Sequence, residues 1–236
     1  MKKILFHPVT SDVVNNAVPP VPAKDTLSKW YKDLPQFYGG KPHIKDGMAN
    51  ATVKACMPFY DAMVSGYVQT AWQDMSFEFK VEPNGDETII YNSPSQPPAF
   101  SVRDGEPAIK LSNAFYPFEF VLHPPYYPQV PKGWSILLTQ PLNSFNSPLQ
   151  FTSGIMDSDQ FTHSESGNLP FYVRRDFNGI IPKGTPLFQM IPIKRESWKH
   201  ELTEFDKATQ DKIMNPIRNH FWGGYRHNYW SKKTFK

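Results

Sequence analysis

The sequence has little cysteine and no long apolar run, and each scarcity excludes a class of protein. Its 236 residues include 1 cysteine, Cys56, which cannot form an internal disulfide or a cysteine-based zinc site. Because free cysteine is among the most buried residue types, we expect an inert thiol in the core. No segment approaches the ~18 apolar residues of a membrane-spanning helix, and the N-terminus lacks a signal-peptide core. We therefore expect a soluble protein that does not bind membranes.

The sequence also lacks the motifs of the common enzyme classes. Neither the phosphate-binding glycine patterns nor Gly-x-Ser-x-Gly nor His-Glu-x-x-His occurs in it. The 7 histidines form no pair with a neighbouring carboxylate at metal-ligand spacing, so no resident metal site or cofactor is predicted. Whether the protein is an enzyme is left open by these absences.

Acidic residues are missing from the C-terminal end of the chain. The formal net charge is +3, yet the last 25 residues carry +6, since no Asp or Glu follows Asp211. Aromatic and basic residues interleave in this tail, and we predict that the following contact a partner: Trp222, Tyr225, Arg226, Tyr229 and Trp230. Two alternatives stay open: the tail packs on its own domain or a neighbouring subunit, or it binds nucleic acid by stacking and phosphate attraction.

The hydrophobic pattern predicts a mainly β fold, with a β-clip or β-sandwich-like core. Period-two alternation over 77–81, followed by Asn84 and Gly85, predicts a hairpin with 88–91. A second hairpin is predicted between 100–103 and 108–111. Further strands are expected at 115–122, 134–139, 149–154, 171–175 and 187–193.

Short helices are predicted on both sides of this core. Apolar residues at helical spacing indicate helices near 24–33, 58–65 and 201–214. We therefore expect an N-terminal arm with short helices over 1–66, a β-rich core over 67–195, and a C-terminal helix with a basic aromatic tail over 196–236. These three parts are expected to form one compact domain.

Part of the predicted core resembles a known enzyme superfamily. Gly154, Asp157 and Asp159 lie in an acidic turn between strands, and Gly184 and Gln189 lie in a later turn and strand. Their order resembles the dUTPase and dCTP-deaminase superfamily, which has a β-clip fold. The resemblance implies that Asp157 is the base that activates water and that Gly154, Asp159 and Gln189 belong to the nucleotide site.

The resemblance is incomplete where the superfamily binds phosphate. Gln140 and Pro141 stand where the superfamily has Arg-Ser, so a guanidinium and a backbone donor are missing. A nucleotide-hydrolysing function would need Mg²⁺ as well as other cations. Arg174, Arg175 or the tail cations are the candidates to replace the missing arginine.

A second resemblance covers more of the chain. Trp30 to Pro35, Thr52 to Met63, Pro131 to Trp134 and Gly179 to Pro186 are similar to a widespread group of uncharacterised proteins of tailed bacteriophages. This resemblance implies a phage protein in the host bacterial cytoplasm or in the virion. It implies no particular activity.

Three functional hypotheses follow from these observations. The first is a non-catalytic phage protein, structural or partner-binding, that forms a homo-oligomer or binds other phage proteins. The second is a divergent enzyme that binds or hydrolyses nucleotides, with Asp157 as its base. The third is a β-sandwich that binds a carbohydrate or another small ligand, with the following rings stacking on it: Trp72, Trp134, Tyr126 and Tyr127.

Overall fold

A computed structural model describes residues 2–45, 48–94, 98–105, 107–163, 168–220 and 222–236. Contacts divide the chain into two compact units. The first contains residues 2–22 and Gly66–Arg195, and the second contains Ala23–Ser65 and Glu196–Lys236. That residues 1–66, 67–195 and 196–236 form one compact domain stays a prediction.

Short strands dominate the secondary structure. The described strands are β1 (Leu5–Pro8), β2 (Val21–Pro22), β3 (Ile44–Lys45), β4 (Met48–Ala49), β5 (Tyr67–Thr70), β6 (Met75–Val81), β7 (Glu87–Asn92), β8 (Phe100–Val102), β9 (Phe120–Leu122), β10 (Tyr126–Gln129), β11 (Trp134–Thr139), β12 (Leu149–Phe151), β13 (Gly154–Met156), β14 (Leu169–Val173), β15 (Gly179–Ile181) and β16 (Pro186–Lys194). The described α-helices are α1 (Val13–Asn16), α2 (Lys29–Asp33), α3 (Met57–Val64), α4 (Lys207–Arg218) and α5 (Gly224–Asn228). Single 3₁₀ turns lie at Ala23–Thr26, Tyr38–Gly40 and Val53–Ala55.

The first unit consists of antiparallel sheets. One sheet has the strand order β13-β11-β16-β5-β2, a second has β12-β14-β9-β8, and a third has β15-β6-β7. Strands β1 and β10 form a further antiparallel pair. The mainly β class predicted from the sequence is confirmed.

The first predicted hairpin is present and is formed by β6 and β7. Phe79 pairs with Ile89, and Val81 pairs with Glu87. The turn contains Gly85 at a φ of 89°, in the left-handed region that glycine adopts without steric cost. The Gly85 amide donates to the Glu82 carbonyl at 2.8 Å.

The second predicted hairpin is wrong, because β8 pairs with β9 instead of with 108–111. Phe100 lies opposite Leu122, and both side chains are buried in the core. Residues 108–110 are exposed and form no strand, so they bury no apolar face against a sheet. The Ala108 amide instead donates to the buried carboxylate of Glu119 at 2.9 Å.

Aromatic rings fill the centre of the first unit. The Phe171 ring lies 5.1 Å from Phe151, 5.3 Å from Phe120 and 5.9 Å from Phe100, measured between centroids. Phe77 stacks on Phe100 at 5.0 Å. Aromatic pairs at this distance add about 0.5–1.5 kcal/mol each beyond area burial, so this cluster stabilises the core of the β-rich unit.

The second unit contains α2, α3, α4 and α5. Helix α4 starts later than the sequence predicts. The Asp206 side chain accepts a hydrogen bond from the Thr209 amide at 3.0 Å, which caps the helix. Residues 196–206 consequently precede the helix as a segment without regular secondary structure. Helix α5 packs on α4 so closely that a Cβ on Gly224 would lie 2.7 Å from the Ile217 backbone.

Two further predictions concern exposure to solvent and lipid. Cys56 is exposed, contrary to the prediction of a buried thiol. It immediately precedes α3, where the next residue, Met57, takes the buried position. Across the described ranges, no helix is both long and apolar enough to cross a membrane.

Candidate functional site

The acidic turn that contains Asp157 and Asp159 follows directly after β13. The Ser158 amide donates to the Met156 carbonyl at 2.9 Å, and the Val130 amide donates to the Ser158 carbonyl at 3.2 Å. The second bond holds the turn against the residue that follows β10. The Asp157 side chain is 61% exposed, whereas that of Asp159 is 2% exposed.

Arg195, at the end of β16, bridges the two carboxylates. Its Nη1 atom lies 3.0 Å from Asp157 Oδ1 and 2.9 Å from Asp159 Oδ1. Its Nη2 atom donates to Asp159 Oδ2. The Arg195 amide also donates to the Gly133 carbonyl at 2.9 Å. The guanidinium therefore joins the acidic turn to the end of β16.

Two groups of β11 and its preceding turn complete the cluster. The Ser135 hydroxyl donates to Asp157 Oδ1 at 2.7 Å. The Gly133 amide donates to Asp159 Oδ2 at 2.8 Å. Each carboxylate thus accepts hydrogen bonds from the guanidinium and from one further donor. Charge-assisted bonds of this kind fix the position of the acidic turn.

These donors stabilise the ionised form of both carboxylates. The Ser135 hydroxyl and the Arg195 guanidinium lower the pKa of Asp157. Arg195 and the Gly133 amide lower the pKa of Asp159 to about 2. In turn, Asp159 raises the pKa of Arg195. A general base works best with a pKa near the operating pH, so the environment of Asp157 makes it a weak base.

The other residues predicted for a nucleotide site have different surroundings. Gly154 lies opposite Leu138 in the sheet. Gln189 is buried in β16, where its Oε1 atom accepts a hydrogen bond from the Leu142 amide at 2.9 Å. Both residues thus support the sheet and its neighbouring turn, and their role in binding stays a prediction.

The two candidate replacement arginines are engaged elsewhere. Arg174 donates to Asp176 with a distance of 2.9 Å from Nε to Oδ1. Arg175 donates to Glu87 with a distance of 3.1 Å from Nη2 to Oε2. These carboxylates raise the pKa of their arginines. The structure brings Asp157 and Asp159 to Arg195 instead.

The acidic turn does not suit a magnesium ion. Mg²⁺ requires carboxylate oxygens that face an open position, whereas the Arg195 guanidinium contacts Asp157 Oδ1 and both oxygens of Asp159. Within the residues described, no group of three or more His, Cys, Asp or Glu side chains could hold a metal ion.

The aromatic residues considered for sugar stacking are largely inside the unit. Trp72, Tyr126 and Tyr127 are buried, which corrects the expectation of a surface platform. Trp134 is partly exposed, and the Lys2 ammonium lies 3.9 Å from its ring centroid. Tyr126 and Tyr127 line an apolar cavity of about 230 Å³ together with side chains of β11, β13 and β16.

The aromatic tail contacts its own unit. Trp230 Nε1 donates to Asp61 at 2.9 Å, and Lys233 Nζ donates to the same carboxylate at 2.7 Å. Trp222 packs edge-on against Phe37 at 5.4 Å between centroids. These contacts fix the tail on the second unit, and its role in partner binding stays a prediction.

Part of the tail remains accessible on the surface. Tyr225, Arg226 and Tyr229 are exposed. The Tyr229 hydroxyl donates to the Ile213 carbonyl at 2.9 Å, which joins the end of α5 to α4.

The most exposed apolar side chains lie in the segment 196–206, which we name the arm. Trp198 is 88% exposed, Leu202 is 94% exposed and Phe205 is 75% exposed. Sequence reasoning missed the arm because Leu202 and Phe205 fit the apolar face of the helix predicted over 201–214. The signal that could have found it is Asp206 followed by Thr209, a helix-capping pattern.

Comparisons with known proteins give a weak likeness only. Searches of the sequence against protein-family models and against curated proteins find no match. A dUTPase from phage phi11 of S. aureus covers 87% of this chain and 99% of its own, with 10% identity and a TM-score of 0.37. A phi11 dUTPase variant with a structural Mg(II) ion covers the same shares, with 11% identity and a TM-score of 0.34.

A third structure gives a similar result. The dUTPase of Staphylococcus bacteriophage 80alpha, with dUpNHpp, covers 87% of this chain and 90% of its own, with 11% identity and a TM-score of 0.35. The weak resemblance to dUTPases predicted from the sequence is confirmed, and no residue role is taken from it.

Proposed function

We propose that this protein is a non-catalytic, phage-type module that binds a partner protein through the arm. One observation supports this most strongly: Trp198, Leu202 and Phe205 are exposed to solvent on a segment without regular secondary structure. Large apolar side chains grouped on a surface are typical of protein interaction sites. Tryptophan and other aromatic anchors also supply much of the binding energy at such sites.

The acidic turn supports a structural role for its carboxylates. Asp157 is bound by Ser135 and Arg195, and both donors lower its pKa. Arg174 and Arg175, two of the candidates for binding phosphates, are paired with carboxylates of their own. A nucleotide hydrolase needs a free base and free cations, and Asp157 and these two arginines are committed to internal ion pairs.

A turnover assay tests the non-catalytic part of this proposal. The purified protein is incubated with each dNTP and rNTP in the presence of Mg²⁺, and the release of pyrophosphate and phosphate is measured. We expect no turnover above that of Asp157→Asn. Asp104→Asn, which alters an exposed carboxylate outside the turn, serves as the matched control. Turnover that is lost in Asp157→Asn and kept in Asp104→Asn would overturn the proposal.

A further inference from the structure

We infer that the partner of the arm is a second copy of this chain, and that the arm docks on the surface formed by α4 and α5. We name this surface the basic hairpin. The inference rests on the proposed function, in which the arm is a binding element. It adds the identity of the partner and the surface that receives the arm.

The arm combines large apolar side chains with negative charge. Trp198, Leu202 and Phe205 are spaced by four and then three residues, so they would lie on one face if the arm became helical on docking. Residues 196–206 contain four acidic residues and one lysine, a net charge of −3. Glu201 and Glu204 are exposed and make no ion pair in the described part of the chain.

The basic hairpin has exposed apolar and aromatic side chains of its own. Ile213 is 47% exposed, Tyr225 is 42% exposed and Tyr229 is 43% exposed. The bond from the Tyr229 hydroxyl to the Ile213 carbonyl places two of these residues side by side. No residue of α4 is buried, although the helix is 12 residues long. The exposed side chain of Ile213 is therefore available to another chain.

The charge of the basic hairpin complements that of the arm. Arg218 pairs with Asp211, and Lys233 pairs with Asp61. Lys212, Arg226 and Lys232 make no ion pair among the residues that the structure describes. Unpaired cations therefore flank the exposed tyrosines, while unpaired carboxylates flank the apolar side chains of the arm. Complementary charges of this kind select a partner and fix its orientation.

The helix cap explains why the arm is free for a second molecule. Asp206 has an extended backbone, with φ −110° and ψ 96°, and its side chain caps α4. The chain therefore enters α4 from outside the helix, and within one molecule the arm side chains stay exposed. In a dimer with two-fold symmetry, each arm can cover the basic hairpin of the other copy, and the interface closes.

The area available is sufficient for a stable dimer. Each buried aromatic side chain contributes about 150–250 Å², so Trp198 and Phe205 contribute roughly 300–500 Å² per arm. Two arms and the two surfaces that they cover then bury roughly 1,200–2,000 Å² in total. This range is that of stable, specific protein interfaces.

Charge reversal on each side of the interface tests the inference. Light scattering after size-exclusion chromatography measures the mass of the wild type, of an arm variant (Glu201→Lys/Glu204→Lys) and of a hairpin variant (Lys212→Glu/Arg226→Glu). We expect a wild-type dimer and two monomeric variants, with the dissociation constant raised at least about tenfold in each. Asp104→Lys, a reversal at an exposed site elsewhere, should leave the dimer intact.

Mixing the two variants gives the most specific readout. The arm variant has a basic arm and a basic hairpin, and the hairpin variant has an acidic arm and an acidic hairpin. Each arm therefore suits the hairpin of the other variant, and we expect an equimolar mixture to recover the dimer mass. Circular dichroism of each variant should match the wild type, because all four substituted residues are exposed or partly exposed.

Three outcomes would overturn the inference. They are a wild type that remains monomeric at all concentrations, a dimer that the charge reversals leave unchanged, and an equimolar mixture of the two variants that stays monomeric. Binding of single-stranded oligonucleotide to a monomeric wild type, with loss in Lys212→Glu/Arg226→Glu, would assign the surface to nucleic acid instead. None of these results depends on nucleotide turnover, so they are distinguishable from a failure of the proposed function.

Discussion

Replacing phenylalanine by alanine should destabilise the protein at Phe171, in the core, and leave its stability nearly unchanged at Phe205, in the arm. Phe171 is fully buried and contacts the rings of Phe151, Phe120 and Phe100. Phenylalanine to alanine in a core costs about 3–5 kcal/mol, because apolar burial is lost and a cavity remains. In a unit of this size that change lowers Tm by roughly 6–20 °C.

Phe205→Ala removes the same atoms from a residue that is 75% exposed. Surface substitutions of this kind change stability by less than about 0.5 kcal/mol. The assay is thermal unfolding followed by circular dichroism, at a protein concentration low enough for the monomer to dominate, since association raises the apparent stability. A Phe205→Ala variant as unstable as Phe171→Ala would refute the assignment of the arm to binding. A Phe171→Ala variant with an unchanged Tm would refute the account of the core.

Three further predictions concern single positions. Gly66→Ala should unfold the protein or lower Tm strongly, because the new Cβ would lie 2.0 Å from the Met190 carbonyl oxygen. The control in the same melting assay is Gly39→Ala, which has the same φ within a degree and open space around the new Cβ, so it should lose only the stability that a positive φ costs alanine. Tyr172→Phe should cost about 1.5–3 kcal/mol in denaturant unfolding, since it removes the hydroxyl that donates to buried Glu119 at 2.8 Å, and a neutral result would contradict this. The folded pKa of Asp159 is lowered to about 2 from an ordinary value of 3.8, so the stability gained over Asp159→Asn should be complete above about pH 4 and disappear as the pH falls toward 2; a difference that does not change with pH would show that no such shift exists.

The fold was predictable where the signal was local. The period-two pattern and the Asn84–Gly85 turn predicted the hairpin of β6 and β7, and the strand predicted over 134–139 has the observed bounds of β11. The pairing of β8 with β9 was not predictable, because burial of Phe100 against residues about twenty positions away decides it. Sheet partners that are distant in sequence leave no local pattern.

The site followed the same rule. The sequence indicated that Asp157 and Asp159 lie together in a turn, and the structure places them there. It did not indicate Arg195, because the arginine reaches the turn only through the pairing of β11 with β16, in which Trp134 lies opposite Lys194. The sequence did not indicate the arm, because Leu202 and Phe205 continue the apolar face of α4. Only the cap at Asp206 shows that the helix begins after them.

The central claim is that the arm binds a second copy of this chain, and the mass of the protein in solution tests it most directly. Sedimentation equilibrium compares the wild type with a variant in which Trp198, Leu202 and Phe205 are all replaced by alanine. The account predicts that the wild type associates to twice the monomer mass in a concentration-dependent manner, and that the variant remains folded and monomeric. A wild type and a variant with the same mass at every concentration would contradict it.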